Sequence, residues 1–371
     1  MKIGLLTVPF NNNYGGLLQA YALKTVLERK GHEIIIINRQ RNPIKGFKHR
    51  VYRLLVRLHL IEDFLANNIS RISENTNRFK TKYLSPITAP FYSSTEMKSC
   101  LRLGIDFYVV GSDQVWRYKY AGDSIDDFFF GFVDAGDNVP RISYAASFGI
   151  DQMDYPEDKK NRVASLLRNF RAISVREESG KRLLSEYLGV SSSRVRVVLD
   201  PTLLLGQEDY LKLFNDYPRR TRHFLFTYIL DQEMTFSDFV DSFTERNQLD
   251  WIDIKAQTKR LNKGEIIEPV ETWLSSIYYS DYVLTDSFHG TVFSIIFHKQ
   301  FVVLANPRRG VARLRSLLSS LGLQDRLIQN DRSDISVVLT SPIDWIEVER
   351  RLSGFREDSL LFLSDALACS K

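Results

Sequence analysis

The first forty residues constrain the fold most, because they spell a strand, a turn, a helix and a second strand in that order. Ile3–Val8 is a short apolar run. Residues 9–16 make a turn rich in Asn and Gly, and Leu18, Ala22 and Val26 then recur at helical spacing between about Leu17 and Lys30. Gly31 stands where a helix C-cap is expected. Ile34–Ile37 is an unbroken β-branched run, the pattern of a parallel strand buried on both faces. Parallel strands need a crossover between them, so the unit reads as the βαβ of a Rossmann-like domain. Its turn lacks the Gly-x-Gly-x-x-Gly fingerprint, so a dinucleotide is not implied.

The rhythm continues. Further strands are predicted at Phe107–Val110, Arg141–Ala145, Ala172–Val175 and Arg196–Leu199, with a helix at Glu178–Leu188. Asp200-Pro201-Thr202 breaks the pattern, and Tyr217-Pro218-Arg219-Arg220 reads as a linker. The second half restarts with strands at Phe224–Leu230, Trp251–Ile254, Tyr282–Thr285 and Phe301–Leu304. Helices at Ser237–Arg246, capped by Ser237, Thr272–Ser280 and His289–Phe297 separate them. Two more helices are predicted at Ile343–Leu352 and Ser359–Ala368. The expected architecture is α/β: two Rossmann-like domains, 1–215 and 216–371, facing a cleft, with C-terminal helices able to pack back on the first.

Composition narrows the setting. The chain is 44% hydrophobic and 26% charged, an ordinary globular balance. Its two cysteines, Cys100 and Cys369, have no metal-ligand spacing and favour a reducing cytoplasm over a disulfide-stapled secreted fold. No run approaches the roughly 18 apolar residues of a membrane span. Between Glu33 and Glu62 every charge is basic, and Arg50, Arg53 and Arg57 interleave with Val51, Leu54, Leu55 and Leu58 at helical spacing. Such a helix can touch the inner membrane surface peripherally, or simply present a solvated face. No nucleic-acid motif is present, and no metal site is expected.

Ligands of open parallel sheets bind at the carboxyl ends of strands, which selects four places. Thr285-Asp286-Ser287-Phe288-His289-Gly290 sets a histidine where a strand meets a helix N-terminus. There it either serves an anionic ligand or merely caps and packs. Arg176 ends another strand and either grips an anion with its planar fork or pairs with Glu177 or Glu178. Gly111-Ser112-Asp113 follows a third strand, beside Trp116, Tyr118 and Tyr120, which either stack on a sugar ring or belong to the core. The turn with Asn13, Tyr14 and Gly15 either admits a ligand to its backbone or is only a connection. No phosphate-loop or nucleophile-elbow motif occurs.

At these residues the chain resembles the polysaccharide pyruvyl transferase family. The resemblance rests on Asn13-Tyr14-Gly15-Gly16-Leu17-Leu18-Gln19-Ala20-Tyr21-Ala22-Leu23, Val110-Gly111-Ser112-Asp113-Gln114-Val115-Trp116, Ser174-Val175-Arg176-Glu177, Leu199-Asp200-Pro201-Thr202 and Thr285-Asp286-Ser287-Phe288-His289-Gly290, in family order. It implies a GT-B-like fold with its site in the cleft. It also implies transfer of a pyruvyl unit from phosphoenolpyruvate to two hydroxyls of one sugar in a bacterial surface polysaccharide or its precursor, which can be lipid-linked. No cofactor is implied beyond that donor. By this match His289 is the general acid/base, and Arg176, Ser287, Phe288 and Gly290 bind the donor. Asn13, Tyr14, Gly15, Gly111, Ser112, Asp113, Trp116 and Asp286 are then acceptor or cleft candidates. Ketal-forming members often carry an arginine two residues before the histidine, where this chain has Ser287. Lys299, Arg308 and Arg309 are the cations placed to compensate.

Two other readings fit the same pattern. A nucleotide-sugar glycosyltransferase of GT-B type would seat base and ribose around 227–231 and Asp286. A glycan-binding protein without catalysis would leave His289 walled off from the cleft.

Overall fold

The structure, a computed structural model, describes residues 1–10, 12–40, 55, 72–134, 136–217, 222–231, 237–255, 266–306, 310–329 and 335–368. The basic segment with Arg50, Arg53 and Arg57 lies outside them, as do Arg308 and Arg309. Two all-parallel sheets organise the rest. The first has β1 (Lys2–Leu6), β2 (Glu33–Ile37), β3 (Phe107–Val110), β4 (Arg141–Ala146), β5 (Ala172–Val175) and β6 (Val195–Val197), in the order β2-β1-β3-β4-β5-β6. The second has β7 (Phe224–Tyr228), β8 (Asp250–Asp253), β9 (Tyr282–Thr285), β10 (Gln300–Leu304) and β11 (Leu327–Ile328), in the order β11-β10-β9-β7-β8. The strand order reverses between β1 and β3 in one sheet and between β7 and β9 in the other. In such sheets a crevice opens at that reversal.

The helices packed on these sheets include α1 (Tyr14–Arg29), α2 (Glu178–Tyr187), α3 (Val270–Tyr279), α4 (Phe288–Ile296), α5 (Val311–Leu321) and α6 (Trp345–Leu367). One continuous core spans both halves, with Leu17 and Leu18 of α1, Trp273 of α3 and Val292 and Phe293 of α4 in the same cluster. All nine residues of α4 are buried. Each large apolar side chain enclosed there stabilises by roughly 1.5–3 kcal/mol, so the helix that carries His289 is firmly fixed.

Two helical details differ from expectation. The two C-terminal helices are one helix of 23 residues. Val348, Leu352, Ser359, Leu363 and Leu367 stay in phase on one buried stripe, and a single glycine, Gly354, costs a helix only about 1 kcal/mol. Ser237 is the first helical residue, not the cap. The helix α6 reaches the first half of the chain. Ser359 Oγ accepts from Leu199 N at 3.0 Å, and Arg356 Nε donates to the Leu203 carbonyl at 2.8 Å. Among the described residues no helix is long and apolar enough to cross a membrane.

Candidate active site

A cavity of about 420 Å3 lies where the two strand-order reversals face each other. Its floor is set by three helix N-termini. Asn13 and Gly16 come from the start of α1, Ser287 and His289 from α4, and Gly310 and Arg313 from α5. Each helix follows the carboxyl end of a strand, respectively β1, β9 and β10. None of the three has an acidic residue in its first turn. No carboxylate within those first turns offsets their N–H groups and dipoles, although Asp113 and Asp286 also line the cavity.

Local hydrogen bonds fix the β9–α4 junction. Thr285 Oγ1 donates to the Tyr228 carbonyl at 2.6 Å and accepts from Ser287 N at 3.0 Å. Ser287 caps α4 by accepting from Gly290 N at 3.2 Å. Asp286 accepts from Leu230 N, from Asp231 N and from Asn306 Nδ2, so it ties together the loops after β7, β9 and β10. Gly290 itself packs on Thr285, where a Cβ would meet Oγ1 at 2.4 Å. It shapes the junction without lining the cavity.

His289 is buried at its base yet reaches the cavity wall. Its Nε2 is enclosed and lies 3.6 Å from Asp200 Oδ2. Its Nδ1 packs against Gly15 of α1. Asp200 is fully buried and heavily engaged. It accepts from Arg176 Nη1 at 2.5 Å, from Thr202 Oγ1 at 2.6 Å and from Ser112 Oγ at 3.3 Å. Burial opposes its charge, but His289, Arg176 and Thr202 outweigh that and hold its carboxyl well below the usual range.

A second carboxylate completes the cluster. Asp113 Oδ1 lies 3.1 Å from Arg176 Nη2 and 3.6 Å from Arg313 Nη1. Burial would raise it, but Arg176, His289 and Arg313 hold it below its ordinary value. For Arg313 the balance runs the other way. Burial first, and the neighbouring Arg176 second, push its pKa down to about 10. Phe288 lies under both guanidinium groups, 4.3 Å from that of Arg176 and 5.6 Å from that of Arg313, centroid to carbon.

Several expected residues sit elsewhere. Trp116 is fully buried, stacked on Phe129 at 4.8 Å, so it cannot stack on a sugar. Of the aromatics near it, Tyr120 lines the cavity. Arg176 does not present an open fork there: its side chain is 2% exposed between Asp113 and Asp200. It borders instead a second hollow of about 840 Å3 that shares only Phe288 with the first. Gly111 is a close-packing position, with φ +149° and room for no Cβ, which would fall 1.9 Å from the Tyr144 carbonyl oxygen. Tyr14 is core: it stacks on Trp273 at 5.5 Å and donates to the Glu268 carbonyl. Ser112 lies behind the cavity, where its hydroxyl supports Asp200. Lys299 stands before β10, at the strand end away from the cavity, over the Tyr278 ring.

The residues that sequence reasoning missed are Asp200 and Arg313. Asp200 stood in a segment of the family resemblance and as a break beside Pro201, with no role assigned to it. Arg313 lay in an unassigned helix, although Val311, Leu314, Leu318 and Leu321 between Gly310 and Gly322 carry a helical period.

The sequence model of one family, polysaccharide pyruvyl transferase, matches residues 13–308. The chain belongs to the polysaccharide pyruvyl transferase family. That span covers α1 from its Asn13 cap, Asp113, Arg176, Asp200 and the β9–α4 junction, and ends before Arg313. No curated protein matches the chain in sequence. Among solved structures, Arabidopsis thaliana UGT89C1 complexed with UDP-L-rhamnose is similar at a TM-score of 0.52 and 10% identity, over 98% of this chain and 99% of that one. S. aureus MnaA in a co-structure with UDP is similar at 0.50 and 14%, over 95% and 91%. At such identities the likeness concerns the fold, which is of GT-B type. This transferase family member therefore has the two-domain cleft architecture expected from its sequence.

Proposed function

We propose that this family member transfers a pyruvyl group from phosphoenolpyruvate to two hydroxyls of a sugar in a bacterial surface polysaccharide or its precursor. The observation that carries the reading is the meeting on one cavity of His289, Arg313 and three helix N-termini whose first turns hold no acidic residue. Phosphoenolpyruvate carries a phosphate and a carboxylate, and such groups are held by helix N-termini and guanidinium groups. Burial and Arg176 disfavour the charge of Arg313, so a bound dianion would relieve it. Arg313 and the α4 terminus together do the work of the arginine that Ser287 replaces.

The two hydroxyls add in turn at one carbon of the donor. His289, protonated at Nδ1, gives a proton to the methylene carbon of the donor, which becomes a methyl. Positive charge develops at the adjacent carbon, and one sugar hydroxyl adds there as its proton returns to His289. Phosphate leaves, and the second hydroxyl adds in its place, its proton leaving with phosphate. The products are the cyclic ketal and inorganic phosphate. Asp200 steadies the imidazolium from the Nε2 side, as carboxylates do for catalytic histidines.

A nucleotide-sugar reading is less well supported. Asp286, which would face a ribose there, has its oxygens occupied by Leu230 N, Asp231 N and Asn306. The deciding assay is phosphate release from phosphoenolpyruvate with glycan acceptors, comparing wild type and His289→Ala. A loss of about 10²–10⁴-fold is expected. Stabilisation by UDP-, GDP- or CMP-sugars but not by phosphoenolpyruvate would sink the proposal.

A further inference from the structure

Another wall of the cavity comes from the loops after β2 and β3 of the first sheet. Gln40 follows β2, and Gln114 and Tyr120 follow β3. Arg39 of this wall, and Arg117, which does not line the cavity, are both engaged inside the protein. Arg39 Nε donates to Asp127 at 2.7 Å with both side chains buried. Arg117 Nη1 donates to Gln114 Oε1 at 2.7 Å and to Tyr120 Oη at 3.2 Å, with the guanidinium 4.6 Å from the Tyr120 ring centroid.

Those contacts orient two amides. A guanidinium only donates, so Gln114 must turn Oε1 to Arg117 and keep Nε2 for another partner. Gln40 Nε2 donates to Asn38 Oδ1 at 2.6 Å, which leaves Gln40 Oε1 as an acceptor. One fixed donor and one fixed acceptor suit hydroxyl groups, because each hydroxyl both gives and takes a hydrogen bond. A carboxylate or phosphate on the same ligand would meet no unengaged cation among the described residues of this wall. The two amides thus suit uncharged hydroxyls, while the helix N-termini and Arg313 draw anions.

We infer that Gln40, Gln114 and Tyr120 form the acceptor subsite, and that it selects an uncharged sugar ring offering free hydroxyls. This rests on the pyruvyl-transfer reading for what the bound sugar undergoes, but the binding itself does not.

The test uses the full chain, phosphoenolpyruvate and a panel of methyl glycosides, neutral hexosides and N-acetylhexosaminides against uronides. Acceptor-dependent phosphate release gives KM for each substrate, and ligand-detected NMR gives glycoside binding without turnover. Gln114→Glu keeps the bond to Arg117 but removes the N–H donor. It is expected to raise KM for a neutral glycoside at least tenfold, with KM for phosphoenolpyruvate within twofold, and Gln40→Ala should do the same. Thermal melting checks that both variants fold. If no glycoside supports phosphate release, the pyruvyl reading fails and binding alone decides the subsite. Neutral-glycoside binding that both variants lose supports the subsite in either case. Binding unchanged in the variants, absent from wild type, or stronger for uronides overturns it.

Discussion

A Cβ at Gly15 would lie 2.0 Å from Nδ1 of His289, although the two residues are on helices of different halves of the chain. The first turn of α1 is therefore shaped around this imidazole nitrogen. Gly15→Ala is expected to yield a folded but inactive protein. Alanine suits a helix better than glycine by about 1 kcal/mol, which offsets part of the strain, while the methyl displaces the imidazole that we propose as the acid/base. Phosphate release should fall by about 10²-fold or more, with a melting temperature near that of wild type.

Arg313→Met separates donor binding from stability. The fold disfavours the Arg313 charge, and Asp113 keeps its 3.1 Å contact with Arg176 when Arg313 is gone. Urea denaturation should show a variant at least as stable as wild type. Its KM for phosphoenolpyruvate should rise at least tenfold, as loss of a charge-assisted contact implies. Unchanged donor KM would remove Arg313 from the site.

Asp200→Asn gives a pH-dependent result whose sign is fixed. The folded carboxyl of Asp200 is depressed below its unfolded value of 3.8, so its stabilising effect is full above that value and is lost as pH falls through the folded one. Denaturation at pH 7 should show wild type ahead by about 3–5 kcal/mol, the cost of breaking a buried ion pair. At pH 3 the gap should narrow. A gap that widens on acidification would contradict this account. Turnover should fall too, because His289 loses the carboxylate at 3.6 Å from Nε2.

Phe288→Leu tests the aromatic face under the two guanidinium groups. Cation–π contacts are worth about 0.5–2 kcal/mol, so donor affinity should weaken by a few-fold and the fold should persist. An isothermal titration with phosphoenolpyruvate measures it.

The strands were legible because β3 is an unbroken apolar run and β4, β5 and β9 are short, largely buried and mostly apolar stretches, broken only by Arg141, Ser143, Ser174 and Thr285. His289 was legible because it follows one of them into a helix. Arg176 and Trp116 were found as residues but not as roles. Whether a buried arginine faces ligand or carboxylate depends on partners 63 and 24 residues away, and no local pattern carries that. Asp200 failed for the same reason: its proline neighbour explains the turn, while its contact with His289 joins distant segments. Arg313 is different. Its helix had a readable period, and the residue was overlooked next to the more conspicuous arginines at 308 and 309.

The bond between Leu199 N and Ser359 Oγ joins residues 160 positions apart and anchors the backbone immediately before Asp200. During synthesis, the loop that carries the partner of His289 thus waits for most of the chain to emerge before it is pinned. Unlike a site assembled within one early-folding half, this one matures late. A nascent chain halted before Ser359 would hold the Asp200 carboxylate through Arg176, Thr202 and Ser112 yet lack the bond that anchors the backbone before it.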